Sequence, residues 1–315
     1  MPERDRLRGS LLVLTAACLW ATLGLFYRTL AEDYGLSRGV IVAYRAGIAA
    51  LTLLVVLALT RRDLLIVRRR DWPYFLSFGS LGVAAFFLVY IRATTTGPLA
   101  VAAVLMYTAP VWIMLWAALR QGEPLTRRKV VALALALSGC ALVANLFDRA
   151  NLNVNGLALL YGVLSGIAYA AYSLWSAAGT QRGYAVWTVV VYALGIGALV
   201  LFATQPLQES LKPLRQPGAW PWLLGVALGP SLLAQTCFTY GLTSIRTSTA
   251  SILATIEPVV AAVLGWLVVE PPEPLSAVQI AGGALVLAAV IVLTRPARAT
   301  APQAGEHRPA EHLAQ

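Results

Sequence analysis

Glu257 sits in the middle of a long apolar stretch, 247–269, and none of the other thirteen acidic residues is placed this way. A charged side chain at the centre of a bilayer costs at least about 2.5–3.5 kcal/mol on insertion scales, so it needs a partner or a purpose. A carboxyl there can take up and release a proton, or hold a substrate ammonium as a carboxylate. The plain alternative is a protonated, hydrogen-bonded Glu that only packs. Arg45 is the corresponding cation, inside the apolar stretch 37–60 and roughly 13 Å along a helix from its start. It can snorkel outward, pair with Glu257, or bind a substrate carboxylate. Pairing with Glu257 would weaken a proton-carrying role.

Around these two lie weaker candidates. Thr108, Ser231, Gln235, Ser251 and Thr255 are uncharged polar groups in apolar surroundings. Ser251, Thr255 and Pro258 share a helix face by i+4 and i+3 spacing. Trp20, Phe86, Tyr107, Tyr169 and Tyr172 lie away from the ends of their stretches and can line a cavity for an amphipathic molecule. Lipid-facing packing is the plain alternative for each. Trp72, Trp220 and Trp222 fall at stretch ends and read as interfacial anchors.

Such residues need elements to hold them. Of 315 residues, 59% are hydrophobic and only 12% charged, against roughly 25% charge in soluble domains. That excludes a soluble or disordered chain. The net charge of +10 does not indicate nucleic acid, because no soluble basic face exists to carry it. Ten stretches are long enough to cross a bilayer as helices: 10–27, 37–60, 72–92, 98–119, 128–145, 156–177, 184–203, 220–241, 247–269 and 275–294. They are too long and too uniformly apolar for barrel strands. The apolar run after Arg4, Arg6 and Arg8 resembles a signal peptide but continues to Tyr27, so it reads as an uncleaved first helix. With the N-terminus inside, seventeen of the 24 Lys and Arg fall in inside segments and six outside. That bias puts both termini in the cytoplasm. The tail 297–315 reads as disordered. The longest loop, 204–219, is too short for a separate domain. Cys18, Cys140 and Cys237 fit no metal site and predict no disulfide.

The chain also repeats itself. Residues 72–111 align with 220–259 without a gap: Trp72-Pro73 with Trp220-Pro221, Thr95 with Thr243, Leu105 with Leu253, Pro110-Val111 with Pro258-Val259. After two inserted residues, Glu123-Pro124-Leu125-Thr126 meets Glu273-Pro274-Leu275-Ser276. The expected fold is all-α, ten transmembrane helices in two five-helix units, 10–147 and 154–296. Five is odd, so the second unit is inverted. Inverted units give two near-equivalent states by exchanging conformations, a recurring basis of alternating access. Gly82 and Pro230 interrupt the third helix of each unit, and Pro110 and Pro258 the fourth. Each proline frees a carbonyl that protein, water or substrate must satisfy. These points are expected to face the interior and act as kinks or hinges. Gly162-x-x-x-Gly166 and Gly225-x-x-x-Gly229 suit close helix packing.

Other classes fit poorly. The two histidines, His307 and His312, lie in the tail, where they cannot serve a mid-membrane serine or zinc mechanism. No Walker A motif binds ATP. A channel would show a filter loop or charge ring, and a sensor an attached signalling domain. Channel and sensor remain the alternatives to transport. No cofactor and no metal is expected.

These residues resemble the drug/metabolite transporter superfamily, specifically its EamA-type members, over about 10–296. The resemblance rests on the paired units, Tyr44-Arg45, Tyr107-Thr108-Ala109-Pro110-Val111, Glu257-Pro258-Val259-Val260 and the two Glu-Pro-Leu-Thr/Ser motifs. It implies an exporter or exchanger of small metabolites in the inner membrane, with a cavity between the halves. Proton coupling is a possibility this leaves open, and the oligomeric state is not legible.

Overall fold

The computed structural model describes residues 3–148, 154–268 and 275–294. Its long helices are α1 (Arg4–Glu32), α2 (Arg38–Thr60), α3 (Arg69–Thr96) and α4 (Leu99–Gln121). Then follow α5 (Arg127–Val143), α6 (Gly156–Gln181), α7 (Val186–Ala203), α8 (Pro217–Ser244), α9 (Thr247–Val268) and α10 (Ala277–Thr294). Among the described residues nine of these are long and apolar enough to span a membrane; α5, the tenth, has 17 residues. Every expected span finds its helix, and the chain is a multi-pass membrane protein. The ends differ by a few residues because a helix continues past its apolar part wherever the flanking residues are helix formers. In α1 this extension lets Arg6 Nη2 reach the Thr294 carbonyl of α10 at 3.4 Å. The tail from 297, and Glu273-Pro274, lie outside the described residues.

The starts and stops follow local chemistry. The Thr126 and Ser276 ends of the two Glu-Pro-Leu-Thr/Ser motifs are helix N-caps. Thr126 accepts from Lys129 N at 3.4 Å. Ser276 and Gln279 exchange bonds at 3.2 and 2.9 Å, a capping box. Gly122 ends α4 in the left-handed conformation, φ 62°, which suits a residue without Cβ.

The packing is symmetric between the units. α2 packs on its counterpart α7, and α5 on α10. The pair α1–α8 mirrors α6–α3, α1–α9 mirrors α6–α4, and α2–α8 mirrors α7–α3. This is the pattern of two five-helix repeats related by inversion. The interruptions match too. π-helical stretches occupy Phe78–Ala84 in α3 and Ala227–Leu233 in α8, over Gly82 and Pro230. Next to Pro110, α4 breaks at Tyr107–Thr108; next to Pro258, α9 passes through a 3-10 turn, Ala254–Ile256.

The carbonyls freed by proline in α8 and α9 are satisfied by neighbouring protein groups. Pro230 frees the Val226 carbonyl, and the Ser231 hydroxyl donates to it at 2.7 Å. Pro258 frees the Ala254 carbonyl, which takes the Glu257 N–H. Both are therefore packing kinks closed by protein, with Pro230 and Ser231 buried.

Gly162 and Gly166 do approach α4: a Cβ on them would meet Leu105 Cδ1 at 2.4 Å and Thr108 Oγ1 at 2.6 Å. The second pair splits. Gly225 faces the Phe26 ring, but Gly229 has nothing within 4 Å. A mutual backbone approach joins α5 to α10, where a Cβ on Gly139 would fall 2.6 Å from the Gly282 carbonyl, and one on Gly282 2.7 Å from the Gly139 carbonyl.

Candidate functional site

The centre of the bundle gathers side chains from both units. Arg45 of α2 is 5% exposed. Its Nη1 donates to Ser231 Oγ of α8 at 3.0 Å, and its guanidinium carbon lies 4.5 Å from the Phe87 ring centroid. Ser231 can accept because its own proton already goes to Val226. Beside the guanidinium is a cavity of about 30 Å³, lined among others by Trp20, Tyr172, Pro230, Ser231 and Gln235. That is room for one or two waters and far below the roughly 300–1,000 Å³ of a ligand pocket.

An aromatic cluster continues from this point. Trp20 meets Tyr169 at 6.5 Å and Phe238 at 5.2 Å between ring centroids. Phe86 stacks on Tyr169 at 5.3 Å and lies 6.0 Å from Tyr172. Tyr107, Tyr169 and Tyr172 are all buried. Glu257 is half-buried at the first turn of the second part of α9. The Tyr107 hydroxyl lies near its carboxyl, and Arg45, Tyr90, Tyr169 and Cys140 are close enough to interact with it electrostatically. Among the described residues no ion pair within 4 Å joins Arg45 to Glu257.

The other expected residues are placed differently. Gln235 is buried and donates to Thr239 at 3.4 Å, and Thr239 in turn meets Ser176 of α6 at 2.9 Å. Thr108, Ser251 and Thr255 each bond a carbonyl three residues back, at 2.6, 3.0 and 2.6 Å. Thr108 and Thr255 stabilise the breaks in α4 and α9. A 3-10 turn, Ala254–Ile256, interrupts the helix between Ser251 and Pro258. Phe87, Tyr90 and Phe238 belong to the centre and were missed, because nothing in an apolar helix marks which aromatic faces inward.

At the end of the bundle that carries the N-terminus an ion cluster joins the two units, beside a cavity of about 450 Å³ whose walls include Glu123, Arg246 and Thr247. Glu123, before α5, forms ion pairs with Lys129 and, at 3.6 Å, with Arg246. Ser248 of α9 donates to Glu123 Oε1 at 2.7 Å and accepts from Lys129 at 3.2 Å. Glu123 and Lys129 side chains are 9% and 12% exposed. By the repeat alignment, Lys129, Arg246 and Ser248 correspond to Gln279, Pro98 and Ala100, which cannot reproduce the cluster. The halves of α4 and α9 differ in the same sense. The second part of α4 buries Ala109, Pro110, Ile113, Met114 and Ala117, whereas its counterpart in α9, Glu257–Val268, buries none. One end carries the ion cluster and is packed, the other is loosely packed.

Residues 7–145 and 156–295 each match the EamA-like transporter family. An uncharacterized transporter of Archaeoglobus fulgidus is 30% identical over 219 residues, 68% of this chain and 76% of its own length. A probable terminal-alkyne amino-acid exporter of Streptantibioticus cattleyicolor is 29% identical, covering 72% and 75%. The pseudopaline exporter CntI of Pseudomonas aeruginosa is 30% identical over 260 residues, covering 81% and 85%. A solved crystal structure aligns with a TM-score of 0.73 over 90% of this chain and 95% of its own at 21% identity, a likeness of fold. With both of its repeats matched, the chain belongs to the EamA-like transporter family.

Proposed function

We propose that this chain is a secondary transporter that exports small amphipathic metabolites, amino-acid-like or drug-like, by alternating access. One observation carries the reading. Two inverted repeats enclose a polar, aromatic centre, and corresponding half-helices are packed in one repeat and loose in the other. In such a pair the opposite state is reached when the two repeats exchange these arrangements. The exporters among its relatives support the outward direction. The arginine bias supports placing the end with the ion cluster in the cytoplasm, with both termini there. Glu257 is the carrier of a proton or of a substrate ammonium, and Arg45, Trp20, Phe86, Tyr107 and Tyr169 line the pathway at the midplane.

Proteoliposomes loaded with a pooled metabolite mixture test this. Folded protein is expected to release a defined subset of the pool, and the subset names the substrate class. Release of nothing, or a conductance without saturation, would overturn the reading in favour of a sensor or a channel.

The ion cluster carries a second expectation. Glu123→Gln removes the charge that holds Lys129 and Arg246 across the units, and a nearly buried pair loses more than an exposed one. Ser251 lies beneath the cluster and is 6% exposed. In a background with Cys18, Cys140 and Cys237 replaced, labelling of Ser251→Cys by an impermeant maleimide from the N-terminal face should rise on the order of 10-fold in E123Q, a shift of about 1.4 kcal/mol. Unchanged labelling would mean that the ion cluster does not govern closure.

A further inference from the structure

Arg45 is buried at the junction of the two units with its binding capacity only partly used. A guanidinium offers five N–H donors in a rigid fork. Nη1 is taken by Ser231 Oγ at 3.0 Å, and the Tyr27 hydroxyl lies nearby. Nε is buried and has no hydrogen-bond partner. Among the described residues no carboxylate lies within ion-pair distance of Arg45; Glu257 acts on it only through space. A buried guanidinium without a close counter-charge is costly, and the usual remedy is an anion held by its fork. The adjoining cavity supplies the place. Its walls include Trp20, Phe87 and Tyr172, with the Gln235 amide as a polar group at the edge.

We infer that Arg45, held by Ser231 and flanked by Gln235, is the recognition point for a carboxylate on the transported molecule. This rests on the transport reading for its purpose, but binding itself does not require transport. The chemistry selects the class. A planar two-oxygen group matches Nε and an Nη side by side. About 30 Å³ accommodates one or two water-sized groups, which suits the two oxygens of a carboxylate better than a tetrahedral phosphate. The aromatic walls leave the rest of the molecule to be apolar. Lys at this position would keep the charge and lose the fork.

The test is binding to purified protein in nanodiscs, read as a shift in Tm. The probes are leucine, 4-methylpentanoate, leucinamide and isopentylamine, followed by the pooled proteinogenic amino acids against the pool of their amides. Carboxylate compounds are expected to raise Tm. The amides should need roughly 10- to 100-fold higher concentration for the same shift, the range for losing a charged hydrogen-bond partner. R45Q should lose this discrimination and R45K should keep a part of it. The wild-type comparison stands even if R45Q does not fold. Equal shifts by acids and amides would overturn the inference, as would no shift from either pool, or full discrimination in a folded R45Q. If carboxylates bind through Arg45 but proteoliposomes move nothing, the transport reading falls and the site stands. If wild type exports only amines or neutral compounds, the site falls and transport stands.

Discussion

Glu257→Gln is expected to lower transport by about 30-fold or more and to remove its response to a proton gradient. The substitution keeps the shape but cannot carry charge or exchange a proton. A 30-fold loss corresponds to about 2 kcal/mol. Efflux from proteoliposomes, with and without an imposed gradient, reads both effects. Tyr107→Phe should fall between wild type and E257Q, because it removes the hydroxyl near the carboxyl and leaves the ring. The position of Glu257 explains why the effect should be on transport rather than folding. It is half-buried, at the start of the half-helix that buries no residue. A wild-type gradient response in E257Q would assign proton coupling elsewhere, or to no residue.

The largest stability effect is expected at Gly139 and Gly282. Each presents its backbone to the other helix, so a Cβ at either position would fall under 3 Å from a carbonyl oxygen. Backbone cannot swing aside as a side chain can, so α5 and α10 must separate. Gly139→Val and Gly282→Val should each destabilise at or above the top of the roughly 1–3 kcal/mol range for overpacking. They are expected to lose the monodisperse species after detergent extraction and to melt well below wild type. Gly265→Ala is the control, since nothing lies within 4 Å of that site and Ala is the better helix former. If both valine variants melt with wild type, the α5–α10 contact is not a fixed part of the bundle.

The architecture was legible because membrane spans and their direction depend on coarse features. Runs of twenty apolar residues and the distribution of arginine survive any side-chain detail. The inverted repeat was legible from ordered landmarks such as Trp72-Pro73 and Trp220-Pro221, and the paired π stretches lie over Gly82 and Pro230. The centre was legible in part. Arg45, Trp20, Ser231 and Gln235 do meet at one cavity, and Glu257 does face Tyr107 and Tyr169.

What escaped the sequence depended on contacts between units. Glu123 and Lys129 stand at the ends of spans, where charges are unremarkable, and only the fold brings Ser248 and Arg246 to them. Gly139 and Gly282 belong to no small-x-x-x-small motif of the kind singled out, because their closeness is between helices of different repeats. Gly229 was misjudged for the opposite reason: the spacing was present but no helix comes near it. The 3-10 turn at Ala254–Ile256, where the Thr255 hydroxyl donates to the Ile252 carbonyl, was not legible either.

Alternating access is the central claim, and accessibility of one central position from the two sides tests it most directly. Ile256 is half-buried on the 3-10 turn beside Glu257. Ile256→Cys in the cysteine-free background would be exposed to an impermeant thiol reagent from either face of sealed vesicles. The account predicts reaction from the face opposite the N-terminus when Glu123 and Lys129 are intact. It predicts a shift of reactivity to the N-terminal face in E123Q, with the first face losing what the second gains. Simultaneous, equal reaction from both faces would contradict alternating access and describe an open pore.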